Sequence, residues 1–267
     1  MMEHTIGAFN YVSADEMRPA YYLYKVEPGT VKPLPDKDTI EMPVFDCRAA
    51  RDRYSLDIEG FAFIDFSPAF DQFYDPDAVR KHYYPIVEKT VREWTGARKV
   101  EVFDHNVRND PKAGEGGADR PVRFVHNDYT ENSGPQRVKD IMGEAEGADL
   151  LKRRYAVINL WRPISGPVRD MPLGILDAQS MSQDDFVATD LIYRDRIGEV
   201  SSVRPNRSHR WYYLSEMRTD EALLLKCFDS DRSGRARYTA HSSFKDPNTP
   251  AEAPARESIE ARALVFF

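Results

Sequence analysis

The chain has 267 residues, 41% of them hydrophobic and 12% aromatic, enough apolar mass for a sizeable core and too much for a disordered or collagen-like polypeptide. Its 37 Lys and Arg against 44 Asp and Glu leave a net charge of −7, so there is no basic surplus to neutralise a phosphate backbone, and nucleic acid is not an expected partner. Cys47 and Cys227 are too few for a disulfide framework or, alone, for a four-ligand zinc site. No stretch approaches the roughly 18 apolar residues of a membrane span or carries the pattern of a secretory leader. The expectation is a cytoplasmic protein with free thiols that does not engage a membrane.

In chain order, residues 1–75 alternate short aromatic or β-branched runs (FNYV, AYYLYKV, GFAFIDF) with Pro, Asp and Gly clusters, which predicts short strands with long connections. Asp75-Pro76-Asp77 offers a helix cap and an acidic first turn. Val79, Tyr83, Ile86, Val87, Val91 and Trp94 then recur at helical spacing until Gly96, with Pro85 expected to kink or divide the helix.

From Arg98 onward the runs KVEVFDHNVR, RPVRFVHNDY, RYAVINLWRPI, PLGILDAQS, IGEVSSV, HRWYYL, EALLLKCFDS, ARYTAHSSF and RESIEARALVFF predict a succession of strands. A second helix is expected around residues 137–154, from Val138, Ile141, Met142 and Leu150, although Gly143 and Gly147 weaken it. With no long helices between strands, a doubly wound parallel sheet is disfavoured. The predicted class is mainly β with flanking helices, a single domain over residues 1–267 closed in jelly-roll style.

Six histidines bound the possible metal chemistry. His4 is expected in a frayed terminus and His82 on a solvated helix face, while His105 reads as a hydrogen-bonded strand residue. His126 is different: if PVRFVHNDY is a strand, its period of two puts Val122, Phe124, His126 and Asp128 on one face, so an imidazole and a carboxylate project together. A facial triad of two His and one carboxylate needs a third ligand from a later strand, and His209 and His241 both compete for that role. His241 is followed by RESIEAR, where alternation places Arg256 and Ser258 on one face. A guanidinium and a hydroxyl there could hold the carboxylate of an acidic cosubstrate. The long spacing from His241 to Arg256 requires DPNTPAEAPA to loop out, and Arg262, on the same alternating face, is an alternative anchor.

The order His126-x-Asp128, His241, Arg256-x-Ser258 resembles the non-haem iron(II), 2-oxoglutarate-dependent oxygenases. The runs FVHNDYT, INLWRPI, PLGILDAQS, HRWYY, DEALLLKCFDS and RESIEARALVFF are similar to a secondary-metabolite branch that includes a cephalosporin hydroxylase component and gibberellin desaturase-like proteins. The resemblance covers residues 97–267 most strongly. It implies a double-stranded β-helix (jelly-roll) core over 97–267, with the strands and helix of 1–96 packed on it. It also implies Fe(II) bound by His126, Asp128 and His241, 2-oxoglutarate anchored by Arg256 and Ser258, and O2 as the oxidant.

The implied reaction is oxidation of a C–H bond of a small-molecule substrate, a specialised metabolite or amino acid, by hydroxylation, desaturation or oxidative ring closure. Candidate substrate contacts are Tyr129, Asn159, Arg162, His209 and Trp211. Asn159 and Trp161 share a strand face, so either they or Arg162 reach the cavity, and Arg162 and Arg210 would suit a substrate carboxylate. Two other readings stand beside this one: a cupin-like metal-dependent dioxygenase that uses no 2-oxoglutarate, and a non-catalytic β-barrel binding protein in which His126 and Asp128 only bond each other.

Overall fold

The computed structural model describes residues 2–24, 26–27, 34–113 and 118–267. Fifteen strands lie among these residues: β1 (His4–Val12), β2 (Ala20–Tyr22), β3 (Lys37–Asp46), β4 (Phe61–Asp65), β5 (Lys99–Asn109), β6 (Ala118–Asp119), β7 (His126–Asn127), β8 (Tyr155–Pro163), β9 (Leu173–Leu176), β10 (Phe186–Ile192), β11 (Ile197–Val203), β12 (Trp211–Tyr213), β13 (Glu221–Asp229), β14 (His241–Ser243) and β15 (Glu257–Phe266). They form a nine-stranded sheet ordered β1-β3-β12-β9-β14-β7-β11-β10-β2 and a six-stranded sheet ordered β4-β13-β8-β15-β5-β6. Side chains of both sheets share one core: Ile175 of β9 packs with Val157 and Trp161 of β8, Leu223 and Leu225 of β13 and Leu264 of β15. The sheets therefore face each other across an interior, the mainly β, jelly-roll arrangement expected.

The central strands of the smaller sheet are buried along their whole length because both faces are covered. Alternation divides them. Ile158, Leu160, Ile259, Ala261, Ala263 and Val265 pack outward against Val79, Tyr83, Val87 and Val91 of the helical segment, while the intervening residues face the interior. That segment begins at α1 (Pro76–Ala78), where the Asp75 carboxylate accepts from the backbone N–H of Asp77 and Ala78. It passes through a π-helical turn over Val79–Tyr83 and continues as α2 (Tyr84–Thr95). Pro85 thus divides the helix as predicted: it sits in the first turn of α2, where its missing N–H costs nothing. Gly96 ends the helix at φ 71°, a left-handed conformation that a side chain would oppose, and donates its N–H to Arg92 O.

Several expectations shift. The second helix starts earlier than read and is broken in two, α3 (Ser133–Met142) and α4 (Glu144–Leu150), because Gly143 adopts φ 80°, ψ 157°. Strands β3 and β10 were not anticipated, since their alternation is diluted by acidic residues. Of AYYLYKV only Ala20–Tyr22 is strand, and Lys25 lies outside the described residues. His4 is not in a frayed terminus but opens β1, opposite Phe45.

The larger sheet curls. At one edge β1 pairs with β3, and it also meets the chain just before β7, where Val125 N–H donates to Asn10 O. This roll encloses a second apolar core of Phe9, Tyr11, Val44, Leu176, Trp211 and Phe244, on the face of the sheet opposite the shared interior. Among the described residues no helix is long and apolar enough to cross a membrane.

Candidate metal centre

Strands β7 and β14 are antiparallel neighbours with His126 directly opposite His241, and the two imidazole centroids are 4.4 Å apart. His241 also pairs with Ile175, whose side chain is in the shared core, so both imidazoles face the interior. Asp128 lies two residues beyond His126 and returns to the same side, with Oδ1 3.5 Å from His126 Nε2. One potential ligand atom from each of the three converges within 4.8 Å of the others. His126 is the most exposed of the three, at 15% of its side chain against 5% for His241.

Protonation suits metal binding. His126 Nδ1 lies 2.9 Å from Phe124 O; a carbonyl only accepts, so Nδ1 carries the proton and the Nε2 lone pair is free. Burial and the neighbouring His241 hold the His126 pKa below the ordinary imidazole value. Burial pushes the Asp128 carboxyl up, but Arg262, His241 and His126 more than reverse this and hold it well below the usual range. The cluster therefore offers the His126 imidazole with its Nε2 lone pair free, the Asp128 carboxylate and the facing His241 ring.

The wall behind Asp128 is polar. Its Oδ2 accepts from Asn159 Nδ2 at 2.8 Å and from Arg262 Nε at 2.8 Å. Asn159 Nδ2 also donates to Glu260 Oε1 at 2.9 Å, and Arg262 Nη2 to Glu260 Oε2 at 3.1 Å. Glu260 Oε1 in turn lies 3.9 Å from His241 Nε2. Sequence reading missed Glu260, although the alternation that groups Arg256, Ser258 and Arg262 includes it. Of the two alternatives, Asn159 with Trp161 rather than Arg162 turns to the interior, and the Asn159 amide is spent on two carboxylates rather than left facing a substrate.

Arg256 and Ser258 are buried on the same interior face. One Arg256 nitrogen donates to Met171 O, and the guanidinium lies 5.5 Å from the Trp161 ring centroid. Arg256 Nε and Ser258 Oγ have no hydrogen-bond partner despite full burial. Burial, then the nearby Arg108, push the Arg256 pKa down to about 10. Two orphaned donors beside one cation are what a missing carboxylate would satisfy. Arg262 is not free to act as that anchor: its nitrogens are engaged by Asp128, Glu260, Asn106 and Asp104.

Three substrate candidates do not reach this interior. Arg162 alternates to the helix side, donates to Thr219 O at 2.6 Å and lies over Phe66 and Phe73 at 5.6 and 5.5 Å. Trp211 pairs with Leu176 while Tyr212 pairs with Ile175, so Trp211 faces the second core, stacked on Phe9 at 3.7 Å. His209 lies with it, its Nε2 3.1 Å from Asp185 Oδ2 and its Nδ1 3.1 Å from the Tyr11 hydroxyl, which also removes it as third ligand. Arg210 is occupied by Asp177 at 2.7 Å. The two remaining candidates, Tyr129 and Asn159, stay beside the cluster, Tyr129 in the shared core and Asn159 bonded to Asp128.

A His-Asp-His cluster between the sheets of a jelly roll, beside a buried arginine with unmet donors, defines a non-haem metal oxygenase of double-stranded β-helix class. Comparison with known proteins gives the family. A family model described as "Oxidoreductase/YMDC permease-like domain" matches residues 9–266. The chain is 33% identical to the hydroxylase/desaturase efuI of Hormonema carpetanum over 92% of this chain and 90% of that protein. It is 32% identical to the Fe(II)/2-oxoglutarate-dependent dioxygenase nvfI of Aspergillus novofumigatus, with the same coverage. A solved structure of a variant of the iron and alpha-ketoglutarate-dependent endoperoxidase NvfI superimposes with a TM-score of 0.91 at 28% identity, covering 100% of this chain and 99% of that one. The chain belongs to the family of Fe(II)/2-oxoglutarate-dependent dioxygenases; it is an oxidoreductase whose cofactors are Fe(II), 2-oxoglutarate and O2.

Proposed function

We propose that His126, Asp128 and His241 hold Fe(II), that Arg256 and Ser258 anchor the distal carboxylate of 2-oxoglutarate, and that the whole chain works as one domain on a small specialised metabolite. The observation that carries this reading is the pair of buried, unpartnered donors, Arg256 Nε and Ser258 Oγ, in the same interior as the His-Asp-His cluster. Bound Fe(II) supplies the chemistry: O2 is reduced as 2-oxoglutarate loses CO2 to become succinate, and a substrate C–H bond is oxidised. The chain's own residues bind and orient. Asp128 provides the anionic ligand, His126 and His241 provide imidazole nitrogens, and the apolar wall of Trp161, Ile175 and Leu223 excludes water.

Relatives named hydroxylase/desaturase and endoperoxidase support hydroxylation, desaturation or oxidative ring closure as the outcome. The two buried, free thiols support a reducing, cytoplasmic setting. The test is an anaerobic Fe(II) titration followed by addition of 2-oxoglutarate, then O2 with succinate measured. The reading expects Fe(II) binding and succinate formation that Arg256→Ala impairs. Succinate-free turnover insensitive to Arg256→Ala would sink it in favour of a dioxygenase without this cosubstrate.

A further inference from the structure

We infer that Asn159, Arg262 and Glu260 are positioning residues that lock Asp128 into ligation through Oδ1 alone, so that the metal keeps adjacent positions open for a two-oxygen cosubstrate. The inference rests on the iron reading above and concerns groups outside the ligand set.

A carboxylate can meet a metal through one oxygen or through both, and a site that must also seat 2-oxoglutarate and O2 cannot spare a position for the second. Asp128 Oδ1 points into the cluster, 3.5 Å from His126 Nε2. Oδ2 points into the wall, where two donors hold it at 2.8 Å each. To chelate, the carboxylate would have to abandon both hydrogen bonds, one of them to a guanidinium and so charge-assisted.

The donors are themselves pinned. The Asn159 amide has two N–H groups and gives one to Asp128 and one to Glu260. The Arg262 fork divides the same way, Nε to Asp128 and Nη2 to Glu260, with Nη1 held by Asn106 Oδ1 at 2.6 Å. Glu260 is 6% exposed. It neutralises Arg262 and orients both donors, and it stays 3.9 Å from His241 Nε2, beyond hydrogen-bond range.

The backbone reinforces this. Asn159 and Arg262 are opposite each other on β8 and β15, and at Arg262 the pairing with β5 slips from Asp104 to Val102. The extra residue is Phe103 of β5, so the bulge lies on the neighbouring strand immediately beside Arg262. The network is built on three adjacent strands rather than on loops, which suits a part that must hold still.

Two variants test the inference by different routes: Asn159→Ala removes one donor, and the double variant Glu260→Gln with Arg262→Gln removes the Arg262 cation together with its buried partner carboxylate Glu260. Each is titrated anaerobically with Fe(II), then with 2-oxoglutarate, following the visible charge-transfer absorption of the Fe(II)–2-oxoglutarate complex. Freed to chelate, Asp128 should lower 2-oxoglutarate affinity about tenfold or more and weaken the absorption, with a smaller change in Fe(II) affinity. Unchanged 2-oxoglutarate affinity and absorption in a folded variant overturn the inference, and so does an equal loss of both affinities, which would signal general structural damage. If Asn159→Ala does not fold, the double variant decides alone. Failure of the unaltered protein to give the absorption at all would instead refute the iron and 2-oxoglutarate reading.

Discussion

Arg256 concentrates the argument at the scale of single residues, because it combines full burial, a neighbouring guanidinium and an unmet N–H. A hydrogen bond to a charged group is worth about 1.5–3 kcal/mol, so Arg256→Ala should weaken 2-oxoglutarate binding about 10- to 100-fold. The check is the KM for 2-oxoglutarate in succinate formation, with the KM for substrate largely unmoved; an unchanged KM would remove Arg256 as the anchor. Trp211 makes the opposite case. Fully buried and stacked on Phe9 in the second core, it should cost about 3–5 kcal/mol of stability on conversion to Ala. In Trp211→Phe, which retains much of the packing, the KM for substrate should stay at its native value. His126 and Asp128 were legible as a pair from the His-x-Asp spacing, although the strand spans only His126–Asn127 and Asp128 lies just past its end rather than within the longer strand expected over PVRFVHNDY. Arg162 and Trp211 were misplaced because their strand faces are set by partners far away in sequence.

Helix ends are the most readable elements. Asp75 caps α1 as its sequence context predicts, and Asp75→Ala should cost about 1 kcal/mol. Gly96→Ala meets no atom within 4 Å but must hold φ 71°, so its cost is conformational, about 1 kcal/mol. Each should lower the thermal midpoint by about 2–4 °C, and a cap variant with an unchanged midpoint would show that the helix end is held by packing. Short strands were harder to delimit. β7 has two residues and β14 three; such pieces exist only because neighbours supply their hydrogen bonds, and no local pattern announces their limits. The break at Gly143 was visible as a weakness but not as two helices, since the deciding quantity is a backbone angle.

The molecule as a whole titrates through buried imidazoles. Burial lowers the pKa of His209, which faces Asp185 and Tyr11, and of His105, which faces Tyr84, Asp104, Arg80 and Arg262. Both are held neutral in the folded state and take up a proton on unfolding below about pH 6.5. The unfolded chain then binds more protons, so their contribution is complete above that pH and is lost as the pH falls through it toward their lower folded values. Urea unfolding at pH 7.5 and 5.5 should show lower stability at 5.5, with a shallower decline in His209→Gln; an equal decline in the variant would rule out His209 as a source.

Chelating the metal should abolish turnover while leaving the near-ultraviolet dichroism of the cores intact, because the cores behind both sheets are assembled from apolar side chains. The loss in midpoint should be only that of ligand linkage. Unfolding on chelation would instead make the metal part of the fold.

Sequence by itself determined the material: a mainly β chain, one long capped helix, and the residue types of a metal cluster with an arginine-serine partner, all of which follow from local periodicity and side-chain chemistry. Tertiary structure decided what those residues face. Which histidine joined His126 and Asp128 depended on β14 lying beside β7, and the role of Asn159, Glu260 and Arg262 depended on β8, β15 and β5 being neighbours. The physical reason is that strand alternation sorts side chains into two sets without saying which set points inward; only long-range pairing, bought with chain entropy, makes that choice.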